Sequence, residues 1–356
     1  MVMRIKLALL DRDRNYLDRI VSAFEVKYAD KFEIYSFTEL SAALEVLGSN
    51  RIDVFVANES FDIDIKALPK WCGFAYFVNS TGVESVDDQR AICKFQKAEL
   101  IYKQILSIHS EHAGRITGMK ADDDSTKTII FSSPCGGSGT SAMAAACAIY
   151  YARQNKKTLY LNLEKFGSAD AVFTAEGYFD MGDIIFALKN KKTNLALKLE
   201  SSVRQDVSGV CYFSQTKVAL DMMELSTDDI LRLLSELRFS GAYDMIVVDM
   251  DFSLAQDTIQ IFRTANALVW VGDGSATSNA KIQRAYNALS IMEQRTQKAL
   301  TSRLYLIYNK FSNKTSITVG DIGIKNIGGA PRYEHAKIKQ VVQSLSTMNM
   351  FDNIFS

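Results

Sequence analysis

A glycine-rich segment stands between a short apolar run and a long alanine-rich stretch. The run Thr128–Ser132 is followed by SPCGGSGTS at positions 133–141 and by AMAAACAIYYA at 142–152. A strand, a glycine-rich turn and a helix in this order form an anion site, because backbone N–H groups converge on phosphate oxygens and the helix N-terminus adds positive potential. The residues predicted to line this site are Cys135, Gly136, Gly137, Ser138, Gly139, Thr140 and Ser141.

Residues 133–141, termed the phosphate loop below, also offer a metal ligand. Ser141 stands where such loops place the hydroxyl that ligates Mg²⁺, but the lysine expected just before it is replaced by Thr140. Taken alone, the segment is also compatible with a glycine-rich turn that binds nothing.

Five segments of residues 127–350 resemble the MinD/ParA superfamily of ATPases, in the same order. They are the loop at 135–141, LNLEKFGSA at 161–169, YDMIVVD at 243–249, YNK at 308–310 and APRYE at 330–334. The superfamily loop reads K-G-G-x-G-K-T/S, so Cys135 and Thr140 occupy both lysine positions. The lysine-less loop, the FGSA stretch and the N-terminal module resemble, more narrowly, the TadZ/CpaE family of pilus-assembly proteins.

This resemblance implies ATP and Mg²⁺ as ligands and gives each matching residue a role. Ser141 and Asp249 would hold Mg²⁺, Asp249 directly or through water, and Glu164 would orient the attacking water. Asn309 would read adenine, and Pro331 would pack beside the base. Three of these residues have structural alternatives: a strand cap for Asp249, a solvated acid for Glu164 and a turn residue for Asn309.

The N-terminal residues resemble a response-regulator receiver that lacks its phosphate acceptor. Receivers place acids after the first strand, an aspartate after the third and a lysine after the fifth. Here Asp11 is the one acid retained after the first strand, and Arg12 replaces the other and would repel Mg²⁺. Asn58 stands at the acceptor position. Lys97 is predicted to be the retained lysine, with a solvated lysine as the alternative. An amide lacks the nucleophilic carboxylate oxygen, so the resemblance implies a receiver fold used for protein docking.

Apolar periodicity alternates between strand and helix throughout the chain. Predicted strands are Ile5–Leu10, Phe32–Tyr35, Val54–Ala57, Ala75–Val78, Thr128–Ser132, Thr158–Leu163, Val210–Phe213, Met245–Asp249, Ala267–Val271 and Arg303–Tyr308. The pattern predicts two α/β domains with doubly wound parallel sheets. The first domain, at 1–110, is receiver-like and of flavodoxin type. A polar linker follows at 111–126. The second domain, at 127–356, is a P-loop domain of MinD/ParA type.

Composition limits the partners. Lys+Arg and Asp+Glu are both 41, and this balance argues against duplex DNA as the main partner, although a local basic patch would escape such a count. Five dispersed cysteines and the absence of a recognisable signal peptide predict a cytoplasmic protein. The family resemblance implies a location at a cell pole or at the inner face of the membrane.

Near the C-terminus an apolar stripe is predicted to dock on its own domain, with peripheral membrane binding as the alternative. The stripe comprises Ile338, Val341, Val342 and Leu345.

Three functions remain open from the sequence. The first is an ATP-gated scaffold for Tad-type pilus assembly, in which two protomers dimerise over ATP and the receiver-like domain docks other pilus-assembly or polar proteins. Its ATP hydrolysis would at most be slow, because both lysines are missing. The second is a cycling ATPase that positions cargo or partitions DNA, and the third is a structural protein without nucleotide.

Overall fold

The computed structural model describes residues 4–112, 126–167, 169–190, 193–320 and 322–355. Most of the predicted linker (113–125), and Ser168 of the FGSA stretch, lie outside the described residues. The chain divides into two units. The N-terminal unit contains residues 4–112 together with Gly177–Phe179 and the segment Phe186–Ser202, and the C-terminal unit contains the other described residues.

The elements are numbered in chain order. The strands are β1 Ile5–Leu10, β2 Phe32–Phe37, β3 Val54–Asn58, β4 Gly73–Val78, β5 Ser85–Val86, β6 Gln89–Cys93, β7 Lys127–Ser132, β8 Thr158–Asn162, β9 Arg204–Gln205, β10 Cys211–Tyr212, β11 Met245–Asp249, β12 Ala267–Gly272, β13 Leu304–Phe311 and β14 Lys325–Pro331. The helices are α1 Arg14–Lys27, α2 Leu40–Ser49, α3 Ala98–His112, α4 Thr140–Arg153, α5 Ala169–Val172, α6 Met181–Lys189, α7 Leu195–Ser202, α8 Thr227–Phe239, α9 Gln256–Phe262, α10 Ala276–Thr296 and α11 Ile338–Leu345.

The sheet of the N-terminal unit has the order β2-β1-β3-β4-β6-β5 among the described residues. Its strands pair in parallel, except that the short β5 runs antiparallel to β6. Strands β3 and β4 are buried along their whole length, because apolar side chains cover both faces of the sheet. The predicted doubly wound parallel sheet is therefore confirmed for this unit.

Helix α7 packs against α3 within the N-terminal unit, although in the chain it lies between β8 and β10. Lys198 on α7 is 2% exposed, and its Nζ donates to Ser107 Oγ at 2.9 Å. Glu200 accepts hydrogen bonds from Lys31 Nζ at 2.8 Å and from Tyr102 at 2.7 Å. By its position in the sequence, α7 falls within the predicted C-terminal domain at 127–356, whereas in the structure α7 contacts α3 of the N-terminal unit.

Over the part of the chain that the structure describes, the sheet of the C-terminal unit has the order β14-β13-β12-β7-β11-β8-β10-β9, in which only β9 is antiparallel to its neighbour. Strand β7, which leads into the phosphate loop, therefore lies near the centre of a parallel sheet. The predicted capping box is present at α8, where the Ser226 and Asp229 side chains bond to each other's backbone N–H. On α11, Val342 and Leu345 are buried in the core of this unit and Val341 packs against it, whereas Ile338 is 44% exposed, so the predicted docking is confirmed for three of the four stripe residues.

Candidate functional site

The phosphate loop connects β7 to α4. Gly137 and Gly139 have φ values of 73° and 85°, in the left-handed region that favours glycine. Gly139 is the N-cap of α4, so the N-terminus of that buried helix faces the loop. The loop lines a cavity of about 400 Å³ together with Glu164, Asp251 and Lys310. Glycine residues and a helix N-terminus thus lie together in the arrangement that an anion cradle requires.

Three of the predicted site residues meet at one side of this cradle. Ser141 Oγ donates to Glu164 Oε2 at 3.1 Å. Asn162 Nδ2 lies 3.2 Å from both Glu164 Oε2 and Asp249 Oδ2, and Tyr160 donates to Asp249 Oδ2 at 2.8 Å. The parallel pairing of β7, β11 and β8 brings these side chains together, since the carboxyl ends of adjacent parallel strands meet at one edge.

Asp249 is fully buried, and its Oδ1 has no hydrogen-bond partner. Burial, together with the neighbouring Glu164 carboxylate, raises the pKa of Asp249 to about 8. An unpartnered buried carboxylate oxygen beside a serine hydroxyl fits a divalent cation, which would compensate the buried charge. Mg²⁺ commonly takes one or two protein oxygens and completes its shell with phosphate and water. Ser141 and Asp249 therefore fit the predicted role of metal ligands.

Neither lysine position brings a charge to the loop. Cys135 is buried, and its Sγ accepts a hydrogen bond from Ser278 Oγ at 3.2 Å. Thr140 Oγ1 lies 3.1 Å from Ser138 Oγ. Lys310 brings a positive charge to the loop, since its Nζ donates to the Gly137 carbonyl at 2.7 Å.

The remaining two predicted residues lie on the β13–β14 side of the loop. Asn309 is buried, and its Nδ2 donates to the Ser138 carbonyl at 2.9 Å. Pro331 ends β14 and lines a second cavity, of about 640 Å³, with Tyr308 and Phe311. The structure thus brings Asn309 to the phosphate loop, whereas Pro331 does not line the phosphate-loop cavity.

The receiver-like pocket contains a buried ion pair. Lys94 Nζ lies 2.6 Å from Asp11 Oδ2, and Asn58 Nδ2 donates to the same oxygen at 3.2 Å. The prediction that Lys97 is the retained lysine is wrong. Lys94, the first residue after β6, takes that place, whereas Lys97 is exposed just before α3.

Sequence reasoning missed three polar contacts of these pockets: those of Lys94, Tyr160 and the Lys310 side chain. Lys94 could have been found only by recognising β6. Tyr160 sits inside an apolar run, where a tyrosine is ordinarily a core residue. Its pKa is raised by burial and by Asp249, so the phenol stays a protonated donor to that carboxylate.

Comparisons with known proteins agree with both folds. Residues 3–110 match the family model described as TadZ-like, receiver domain. A ParA family ATPase from Chlorobium tepidum TLS superposes with a TM-score of 0.50 at 17% identity, covering 62% of this chain and 99% of that one. The MinC:MinD complex from Aquifex aeolicus gives a TM-score of 0.48 at 17% identity, with 62% and 86% covered. No match was found among curated proteins.

The chain is thus an α/β protein that joins a receiver-type domain to a domain of the ParA ATPase fold. Its receiver-type domain, residues 3–110, is similar to the TadZ-like receiver domains. At 17% identity the likeness to the ParA family ATPase establishes the fold alone. The predicted resemblance is confirmed as a match of residues 3–110 to the TadZ-like receiver model and as the fold of a ParA family ATPase for the C-terminal unit.

Proposed function

We propose that the chain is an ATP-binding scaffold for Tad-type pilus assembly that dimerises with nucleotide and hydrolyses ATP slowly. The observation that carries this proposal is the convergence of Ser141, Glu164 and Asp249 beside a phosphate loop that has no lysine at either expected position. The convergence of the three side chains fits binding of ATP with Mg²⁺, and the missing lysines disfavour ATP hydrolysis.

Binding rests on groups that the chain retains. The N–H groups of the loop and the N-terminus of α4 would hold the phosphates, and Ser141 and Asp249 would hold Mg²⁺. A Mg²⁺ ion held by these residues would supply positive charge that offsets part of the phosphate charge. The protein's own contribution is to keep Asp249 oriented, through the Tyr160 hydroxyl and the Asn162 amide.

Slow hydrolysis follows from the missing charges. Phosphoryl transfer requires cations where negative charge grows on the transferred group, and removing one such group costs about 3 kcal/mol or more of transition-state stabilisation. In this proposal Glu164 would orient the attacking water, yet its Oε2 also accepts a hydrogen bond from Ser141. Ground-state binding loses less, because the backbone donors remain.

The receiver-like domain would dock a protein partner instead of receiving phosphate. Asn58 donates to Asp11, and Lys94 is already paired with the same carboxylate. This closed set of contacts leaves no acceptor carboxylate for phosphoryl transfer. The pilus-assembly role itself rests on the match of residues 3–110 to the TadZ-like receiver domain.

Titration calorimetry with ATP and Mg²⁺ tests the proposal. We expect the wild-type chain to bind ATP, and Gly139→Ala to lose most of this affinity. An added Cβ at Gly139 would lie 2.3 Å from Asn309 Nδ2 in a backbone with φ of 85°. A wild-type chain that binds no ATP at millimolar nucleotide would refute the proposal and favour a structural protein without nucleotide.

A further inference from the structure

Two consecutive residues at the end of β13 contact consecutive carbonyls of the phosphate loop. Asn309 Nδ2 donates to the Ser138 carbonyl at 2.9 Å, and Lys310 Nζ donates to the Gly137 carbonyl at 2.7 Å. In a regular strand, neighbouring side chains point to opposite faces. Here the register of β13 against β14 shifts between Tyr308 and Phe311, and Lys310 has a φ of 57°. This irregularity turns both side chains toward the loop.

The two contacts to the carbonyls also determine where the neighbouring N–H groups of the loop point. Because the peptide unit is planar and trans, its N–H points opposite to its C=O. Holding the Gly137 and Ser138 carbonyls toward β13 therefore orients the N–H groups of Ser138 and Gly139 away from β13. Both residues line the phosphate-loop cavity, where N–H groups directed inward would meet an anion.

The packing around Gly139 shows how closely this arrangement is set. A Cβ at Gly139 would lie 2.3 Å from Asn309 Nδ2 and 3.7 Å from Lys310 Cε. Asn309 Oδ1 also accepts the backbone N–H of Lys310 at 3.0 Å, which fixes the amide orientation. The Asn309 amide is thus committed to the loop and to its own strand end.

We propose that Asn309 and Lys310 are positioning residues that orient the phosphate loop for polyphosphate, independently of the base. This proposal rests on the proposed nucleotide site, and it attributes part of the affinity of that site for phosphates to Asn309 and Lys310. It differs from the role that the family resemblance gives Asn309, which is to read adenine. The two roles separate when the ligand has no base.

The test compares ATP with inorganic tripolyphosphate, both with Mg²⁺, by titration calorimetry. Lys310→Met removes the charged donor and keeps the stem, and Asn309→Asp removes the amide donor at equal size. Each should weaken both ligands by the same factor, roughly tenfold, as for the loss of one charge-assisted or buried hydrogen bond. Lys310→Arg should restore most of the affinity. Lys314→Met, at an exposed lysine in the same unit, is the matched charge control and should change neither.

A second readout follows the loop itself. Amide hydrogen exchange of residues 136–140 without ligand should be faster in Lys310→Met than in the wild type, because a held carbonyl has been released. Variants that lose ATP affinity but keep wild-type tripolyphosphate affinity and wild-type exchange would overturn the proposal and return Asn309 to base reading. A wild-type chain that binds neither ligand would overturn the nucleotide site and this proposal with it.

Discussion

Thr140 occupies the position in the phosphate loop from which a lysine would reach the phosphates. Its hydroxyl offers a neutral hydrogen bond, and it now lies 3.1 Å from Ser138 Oγ. A charge-assisted bond is roughly twice as strong, and its advantage grows as charge develops in the transition state. We therefore expect Thr140→Lys to raise ATP turnover, measured by phosphate release, above a wild-type rate that lies below about 1 per second.

Two variants control this measurement. Thr140→Met has a long side chain without charge and should not raise turnover above the wild-type level. Glu164→Gln should remove the activity that exists, since Glu164 is the residue proposed to orient the attacking water. If Thr140→Lys leaves the rate unchanged while Glu164→Gln abolishes it, another cation already acts there and a cycling ATPase becomes the better description.

Asn58 decides the chemistry of the receiver-like pocket. Its amide donates to Asp11 and its carbonyl oxygen accepts from Ser60 N at 3.0 Å. We expect no phosphorylation on incubation with acetyl phosphate, as judged by intact mass. A gain of one acid-labile phosphate on residues 1–110 would contradict this expectation.

The pKa of Asp249 gives the C-terminal unit a pH-dependent stability. With the folded-state pKa raised to about 8, the folded chain keeps a proton that the unfolded chain loses above about pH 4. The free energy of unfolding should therefore fall as pH rises between about 5 and 8, by at most about 1.4 kcal/mol per pH unit from this group. In Asp249→Asn this contribution should disappear.

Tryptophan fluorescence can isolate that unit. Trp270 in β12 is buried in the C-terminal unit, whereas Trp71 is half-exposed in the N-terminal unit. Urea titrations in a Trp71→Phe background would report Trp270 alone. Identical pH slopes for the parent and for Asp249→Asn would show that the carboxyl is not the titrating group.

Among the elements, α7 makes a specific contribution to the N-terminal unit. Lys198 is buried, donates to Ser107 and lies with Nζ 4.3 Å from the centroid of the Phe179 ring. A buried hydrogen bond of a charged group contributes about 1.5–3 kcal/mol. Lys198→Ala should therefore loosen α7 and speed hydrogen exchange of the α3 amides by roughly tenfold or more.

An exposed lysine provides the comparison for this substitution. Lys27, in the last turn of α1, is exposed, so Lys27→Ala should leave α3 exchange unchanged. Unchanged α3 exchange in Lys198→Ala would mean that α7 does not stabilise α3. The same measurement also tests which unit the segment belongs to.

The strands that the sequence predicts well are those buried on both faces. Met245–Asp249 is β11 without any shift of its ends, because a continuous apolar run is the expected pattern of a central parallel strand. Strand β14 reads KNIGGAP and buries only Ile327 and Ala330, so no periodic pattern marks it. Strand β6 has only three buried residues at its end.

The missed strands account for the errors and gaps in the predicted sites. Without β6 the strand end could not be located, and the lysine was assigned to Lys97 instead of Lys94. The cluster of Ser141, Glu164 and Asp249 was predictable, because Asp249 ends a well-marked strand and the other two lie in the segments that follow well-marked strands. The contacts of Lys310 depend on a local irregularity of β13 and leave no trace in the pattern.

At the scale of the whole molecule, the proposed nucleotide site has two features that point to association with a second copy of the chain. The phosphate loop carries no lysine of its own, and Phe166, two residues after Glu164, is 75% exposed. An aromatic side chain this exposed would bury a large apolar area in contact with a second copy of the chain, and such side chains contribute strongly to protein interfaces. We therefore expect ATP with Mg²⁺ to convert the 39.7 kDa chain into a species of twice that mass in size-exclusion chromatography with light scattering.

Phe166→Ser separates association from nucleotide binding. The variant should remain at the mass of one chain with ATP and Mg²⁺, while calorimetry still shows ATP binding, because the side chain is exposed and does not line the phosphate-loop cavity. Ile317→Ser, at another exposed apolar residue of the same unit, should dimerise like the wild type. Dimerisation of Phe166→Ser would exclude this side chain from the contact, and a wild-type chain that binds ATP but stays monomeric would contradict the dimerising scaffold while leaving the nucleotide site intact.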